Sequence, residues 1–269
     1  MGDCDHIRLE DVSMFFGRRE VFSGLSCCFP RGDISVILGG SGSGKSTVLK
    51  LIGGLVRPRS GLVWVDDNDI THLSERDLYK IRRKVGMMFQ GGALLDSLTV
   101  YENLAFPLRE HTKLDEGEIA DRVRKCLDSV GLNDVEDLLP GQLSGGMTKR
   151  VALGRALMME PVILLCDEPF SGLDPISIRR IEELLTRINE EYSITILVVS
   201  HHIASTMRMA QQILLLLPGG AIEGTPQELL AQDDPRVRAF LQEDFREHVD
   251  MSIGSVEGSH EDKEWSRSW

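Results

Sequence analysis

Ile34-Ser35-Val36-Ile37-Leu38-Gly39-Gly40-Ser41-Gly42-Ser43-Gly44-Lys45-Ser46-Thr47 is the stretch on which the fold turns. An apolar run that reads as a buried strand ends in the pattern G-x-x-x-x-G-K-[ST], with Gly39 and Gly44 at its fixed glycines. Glycines let successive backbone N–H groups converge on an anion with no side chain in the way. Lys45 adds a point charge suited to the β and γ phosphates of a nucleotide, and the Ser46 hydroxyl suits Mg²⁺. Val48 to Ile52 reads as a helix whose first amides and dipole favour the same anion. A flexible Gly/Ser loop is the alternative, and the strand before and helix after the motif argue against it.

The chain has 269 residues, 42% of them hydrophobic and 27% charged, enough for one sizeable domain with a subdomain. Its net charge of −12 argues against bulk nucleic-acid binding, which needs basic surface to displace counterions. Much of that charge lies in Glu243 to Trp269, with eight acidic residues against three basic ones. The cysteines, Cys4, Cys27, Cys28, Cys126 and Cys166, show no zinc spacing and read as reduced, packed thiols of a cytosolic protein. No secretory signal is expected at Met1-Gly2-Asp3-Cys4-Asp5, and no apolar run approaches the ~18 residues that span a bilayer.

Taken in order, Ile7–Val12 and Glu20–Phe29 alternate as an antiparallel pair around a turn at Gly17-Arg18-Arg19. Phe15 and Phe16 fall in the connection, where an aromatic either stacks on a base or packs under the hairpin. Asp66-Asp67-Asn68-Asp69 lacks the later residues of a calcium loop and reads as a surface turn. Ser74 caps a helix to about Lys84, and Val85–Phe89 is a short strand closed by Gln90. Thr99 to Gly131 is helical, with Pro107 marking a helix end or kink. Pro140 to Met147 reads as a loop running into a helix over Thr148–Met159. Val162–Cys166, Ile194–Val199 and Ile213–Leu217 are apolar strands separated by helices, which predicts a parallel α/β sheet. Short helices close the reading at Pro226–Ala231 and Pro235–Gln242.

A phosphate loop needs an acid at the tip of a neighbouring strand to hold the metal, and Asp167 stands there. Glu168 follows as the candidate that polarises an attacking water. His201 ends the next strand, so it arrives at the same sheet edge, as does Gln90, a candidate for Mg²⁺ and water. Leu143-Ser144-Gly145-Gly146-Met147 precedes a helix and makes a second anion site without a lysine. Two such sites in one chain are odd unless the second faces a nucleotide held by another subunit.

These residues, in this order, resemble the ATPase subunit of an ABC transporter. Gly39 to Ser46 matches the Walker A motif, Gln90 the Q-loop and Leu143 to Met147 the signature motif. Asp167-Glu168 matches Walker B with its catalytic glutamate, Gly172-Leu173-Asp174 the D-loop, and His201 the switch histidine. Phe16 matches the aromatic that stacks on adenine. The likeness runs from about Ile7 to Gly224. A narrower resemblance is to the ATPases of Mla and Mce phospholipid transport systems. It rests on Met147 ending the signature, on Phe106-Pro107-Leu108-Arg109-Glu110-His111-Thr112, on Phe89 to Leu94 and on Asp234 to Leu241. His202 and Gln211 depart from the residues usual in the family.

The resemblance implies an α/β P-loop NTPase over residues 1–242, with an N-terminal antiparallel β subdomain and a helical insert at about 91–158, followed by an acidic tail over 243–269. It implies ATP and Mg²⁺ as cofactors. Glu168, His201 and Gln90 would serve catalysis, and Ser46, Gln90 and Asp167 the metal. Phe16, Gly39 to Thr47 and Ser144 to Gly146 would hold the nucleotide. The implied partners are a second copy of the chain and a membrane permease at the cytoplasmic face of the inner membrane. A periplasmic MCE-type lipid-binding protein and a small STAS-domain protein are implied beside them, and no nucleic acid. Phospholipid is the implied cargo. An ATPase for another cargo, such as an amino acid, lipoprotein or drug, and a soluble ABC ATPase acting on ribosomes or DNA are the rivals.

Overall fold

The computed structural model describes residues 5–241. Cys4, the close of the last helix at Gln242 and the acidic stretch 243–269 lie outside the described residues. The chain opens with two long strands, β1 (Asp5–Phe16) and β2 (Arg19–Pro30), joined at Gly17 and Arg18. Both run further than the alternation suggests, so Phe15 and Phe16 belong to the end of β1 rather than to a connection. Then come β3 (Ile34–Gly39), α1 (Lys45–Ile52), β4 (Ser60–Val65), β5 (Asn68–Asp69), α2 (Glu75–Arg82) and β6 (Val85–Met88). The helices α3 (Val100–His111), α4 (Glu116–Ser129) and α5 (Gly145–Leu157) follow before β7 (Ile163–Asp167). The remainder is α6 (Pro175–Tyr192), β8 (Thr195–Val199), α7 (Ile203–Met209), β9 (Gln212–Leu217), β10 (Gly220–Gly224), α8 (Pro226–Leu230) and a helical turn over 235–241.

Two sheets result. The antiparallel one has strand order β2-β1-β4-β5, and the larger one has order β10-β9-β3-β8-β7-β6. The larger sheet is parallel from β9 to β6, while β10 turns back on β9 and pairs antiparallel. Successive side chains of a strand point to opposite faces. Leu164, Cys166, Ile196 and Val198 therefore pack with the helices α3 to α7, while Ile163, Leu165, Leu197 and Val199 pack with α1, α2 and the antiparallel sheet. Both faces of the parallel sheet are covered, which is why its strands read as unbroken apolar runs.

Pro107 lies inside α3, which continues to His111, so of the two readings, helix end or kink, the end is overturned. The helix tolerates the lost N–H because a capping box of Thr99 and Glu102 starts it and Leu104, Ala105 and Leu108 bury one side of it. Likewise α5 starts at Gly145, not Thr148, because the Ser144 hydroxyl caps it by accepting the Met147 amide. Glycine in a first turn costs less there than in a helix interior, so Gly145 and Gly146 become helical.

At the end of the sheet away from the strand tips, a buried cluster ties the two sheets together. His6 of β1 is 2% exposed, with Nδ1 hydrogen-bonded to Thr195 Oγ1 of β8 at 2.6 Å. Its Nε2 lies 3.2 Å from Asp66 Oδ1 and 3.0 Å from Arg31 Nη1. Asp66 also accepts from Lys84 Nζ at 2.6 Å. Burial first, then the Arg31 guanidinium, push the imidazole below its ordinary value against the pull of Asp66 and Asp67. The hydrogen bond from Lys84 leads the causes that bring Asp66 down to about 2. Folded His6 thus resists a proton that the unfolded chain accepts, so its contribution to stability is present above the ordinary pKa of 6.5 and fades as pH falls below it. The Asp66 contribution persists to lower pH and is lost only as pH falls through about 2. Accordingly, the urea midpoint should drop between about pH 7.5 and about pH 5.5, and His6→Asn should show a smaller drop over that interval. Equal drops in the two proteins would detach His6 from this acid sensitivity.

Candidate functional site

Parallel pairing decides where the site forms. Asp167 of β7 lies opposite Val199 of β8, and Val199 lies opposite Ile37 of β3. The chains leaving these strands therefore emerge side by side, with neighbouring strands about 5 Å apart. Gly39 begins the loop, Glu168 follows Asp167, His201 follows β8, and Gln90 follows β6, whose Met88 pairs with Cys166.

Between these tips and the β1–β2 hairpin lies a cleft of about 400 Å³, lined by Phe16, Arg19, Val21, residues 41–47, Gln90 and Glu168. Two loop glycines are demanded by the backbone. Gly44 has φ +99°, and a Cβ there would sit 2.7 Å from Val21 Cγ1. Gly39 has φ +151°, and its Cβ would meet Leu216 O and Ser43 Oγ, each at 2.7 Å. Lys45 Nζ donates to Gly39 O at 2.7 Å and to Gly40 O at 3.0 Å. Burial pushes this ammonium below its ordinary value, while the carboxylates of Glu168 and Asp167 hold it up. Ser43 Oγ is buried with no hydrogen-bond partner among the described residues, a polar atom that an anion in the loop would satisfy.

The floor is built by carboxylates. Ser46 Oγ donates to Asp167 Oδ1 at 2.9 Å. Glu168 is 8% exposed and its φ is +51°, a left-handed conformation that costs a residue with a side chain of order 1–3 kcal/mol. The turn is held on both sides: Glu168 N donates to Val199 O at 3.0 Å, and Glu168 O accepts from Ser171 and Lys149. The carboxylate Oε2 lies 2.8 Å from His201 Nδ1, and that histidine is exposed.

Of the residues named from the sequence, Phe16, residues 41–47, Gln90 and Glu168 line the cleft, and Gly39, Gly40, Asp167 and His201 join it by hydrogen bonds to Lys45, Ser46 and Glu168. Ser144, Gly145 and Gly146 do not line it. Ser144 and Gly145 are exposed, and a Cβ at Gly146 would lie 3.2 Å from Ser177 Oγ at the start of α6. The two departures find local roles. His202 caps α7 by accepting the Ser205 amide at 3.3 Å, and Gln211 Oε1 accepts the Ile34 amide at 2.7 Å at the entry to β3.

Sequence reasoning missed Arg19, Lys149 and Arg155. Arg19 pairs with Phe16 across the hairpin, so the strand register was the signal that could have found it. Arg155, near the end of α5, donates to Gly92 O at 3.0 Å, Ala93 O at 2.8 Å and Asn103 Oδ1 at 3.3 Å. Asn103 Oδ1 also accepts the Leu95 amide at 2.8 Å. The loop carrying Gln90 is therefore clamped by α5. Arg155→Ala should lower stability by about 1–3 kcal/mol and speed amide hydrogen exchange over residues 91–96. Unchanged exchange in that loop would show that the clamp is dispensable.

With the geometry described, comparisons with known proteins give it a context. A family model described as ABC transporter matches residues 22–171. The chain is 42% identical over 236 residues to the probable ribonucleotide transport ATP-binding protein mkl of Mycobacterium leprae, covering 87% of this chain and 68% of that one. It is 41% identical over 237 residues to the intermembrane phospholipid transport system ATP-binding protein MlaF of Haemophilus influenzae, covering 88% of this chain and 90% of that one. Its fold matches the ATP-binding cassette MJ0796, solved as a dimer in a post-hydrolysis state with ADP and Pi. The TM-score is 0.76 at 34% identity, over 82% of this chain and 98% of that one. The chain therefore belongs to the ABC transporter family, as an ATP-binding subunit that hydrolyses ATP.

Proposed function

We propose that two copies of this chain enclose two ATP molecules and drive a membrane permease whose cargo is phospholipid. The observation that carries the reading is the separation of the Ser144 helix start, exposed and outside the cleft, from the phosphate loop of the same chain. Amides at that helix start would complete the cleft of a facing copy.

Within one cleft, Gly39 to Thr47 would cradle the phosphates, Lys45 would face their charge, and Phe16 would stack on the base from the rim. Ser46 and Asp167 would hold Mg²⁺, joined by Gln90. These are hard oxygen donors, and two adjacent ones suit an ion that keeps waters and substrate oxygens in its shell. Among the described residues no group of three or more His, Cys, Asp or Glu makes a cage for a metal by itself, which fits the same demand. When bound, the ion supplies charge neutralisation at the transferred phosphoryl group. Glu168 would polarise the attacking water, with His201 orienting its carboxylate from 2.8 Å.

Among the described residues no helix is long and apolar enough to cross a membrane, so the permease would hold this subunit at the cytoplasmic face of the inner membrane. Exposed Phe89, Leu95 and Phe106 lie on the Gln90 loop and the helix after it and offer that permease an apolar seat. Phospholipid is the cargo named for the MlaF relative, which the chain matches at 41% identity over 90% of that relative's length. An MCE-type lipid-binding protein and a small STAS-domain protein would belong to the same assembly. Co-purification from membranes with mass spectrometry of proteins and lipids tests the cargo, and an amino-acid permease in that assembly would overturn it.

Glu168→Gln should slow ATP hydrolysis by roughly 10² to 10⁴ while ATP still binds and dimers accumulate in size-exclusion chromatography. Turnover near the wild-type rate would remove Glu168 from this role. In mixed dimers, Ser144→Arg in one chain and Glu168→Gln in the other should disable the same cleft and leave one intact. Placing both substitutions in one chain should disable both clefts, and equal activities of the two arrangements would contradict the shared site.

A further inference from the structure

Lys149 is a lysine in an unusual place. It lies on the fifth residue of α5, is 5% exposed, and is not a residue that the phosphate loop or the strand tips require. Burying an ammonium is costly unless its hydrogens are used. Here Nζ donates to Glu168 O at 3.0 Å and to Ser171 Oγ at 3.2 Å, and Ser171 Oγ in turn donates to Glu168 O at 3.0 Å. The acceptor is the carbonyl of the one residue at the cleft floor whose backbone is left-handed. A strained conformation persists only where its surroundings over-determine it, and among the described residues Lys149 is the one donor to this carbonyl that comes from outside the turn itself. Its backbone position stands ~7.5 Å along the helix axis from Ser144, by the rise of 1.5 Å per residue.

We propose that Lys149 is a positioning residue for Glu168, fixing the turn that aims its carboxylate and tying that turn to the Ser144 end of α5. The inference rests on the reading of Glu168 given above. Lys149 does not itself line the cleft and meets Glu168 only at its main-chain carbonyl, so it acts on the carboxylate through the backbone of the residue that bears it. Movement at the Ser144 helix start, where a facing copy would press, reaches Glu168 through a single rigid turn and a half of helix.

The test uses the full chain and three variants. Lys149→Met keeps the length and apolar stem but removes the donor. It should lower kcat for ATP hydrolysis by roughly 10- to 100-fold with KM for ATP changed less than about twofold, since geometry at the reacting centre is lost and not binding. Lys149→Arg, which keeps a donor, should recover most of that loss, and Ser171→Ala should show a smaller fall in kcat in case the methionine variant does not fold. Wild-type kcat in Lys149→Met, a rise in KM alone, an arginine variant as slow as the methionine one, or wild-type kcat in Ser171→Ala would each overturn the proposal. Glu168→Gln, measured alongside, separates the two readings: if that variant hydrolyses ATP normally, the role of Glu168 falls first. If it slows but does not dimerise with ATP, the shared cleft falls while the kcat effect of Lys149 still decides the positioning role.

Discussion

The hydrogen bond from Ser46 to Asp167, 2.9 Å long, joins residues 121 positions apart and makes the cleft one object. Its partners come from the first turn of α1 and the tip of β7, and neither could reach the other without β8 seated between β3 and β7. Parallel pairing of this kind cannot be made by hairpins, so each strand must be brought back by a crossover. The crossovers place α3 to α5 between β6 and β7, and the longest excursion of the chain ends at the strand whose tip carries Asp167. The fold and the site are in this sense the same constraint, met at the carboxyl edge of the sheet.

Charge is distributed across the cleft in opposing pairs. Lys45 and Lys149 are both buried and both held below their ordinary values by desolvation, and for both the carboxylates of Glu168 and Asp167 counter that effect. One ammonium lies at the start of α1, beside the glycine-rich loop, and the other on α5. Two acids at adjacent positions are tolerable because cations stand on either side of them and because His201 reaches the outer one.

Much of this is legible in the sequence. Gly39 to Ser46 carries its own meaning because backbone geometry and phosphate charge leave few alternatives, and Gly39 and Gly44 do adopt conformations that disfavour other residues. Asp167, Glu168, His201 and Gln90 were legible because a strand end in a parallel sheet is a location as well as a local structure. What escaped depends on register or reach. Arg19 enters the cleft only because β1 and β2 pair as they do, and Lys149 and Arg155 look like ordinary helix cations until tertiary packing gives them carbonyls to hold. The Gly145-Gly146 pair misled in the same way, and Pro107 does not end α3: local propensity is weak against a cap and a buried face.

The exposed helix start at Ser144 bears on kinetics at the level of the population. On the split-cleft reading, a lone copy holds half of each active centre, so activity per molecule depends on how often copies meet. In dilute solution the specific activity should climb with protein concentration before levelling off. A permease that holds two copies side by side would replace that bulk concentration with a far higher local one, without any new contact at the nucleotide. The membrane partner would then govern the rate as well as receive the work.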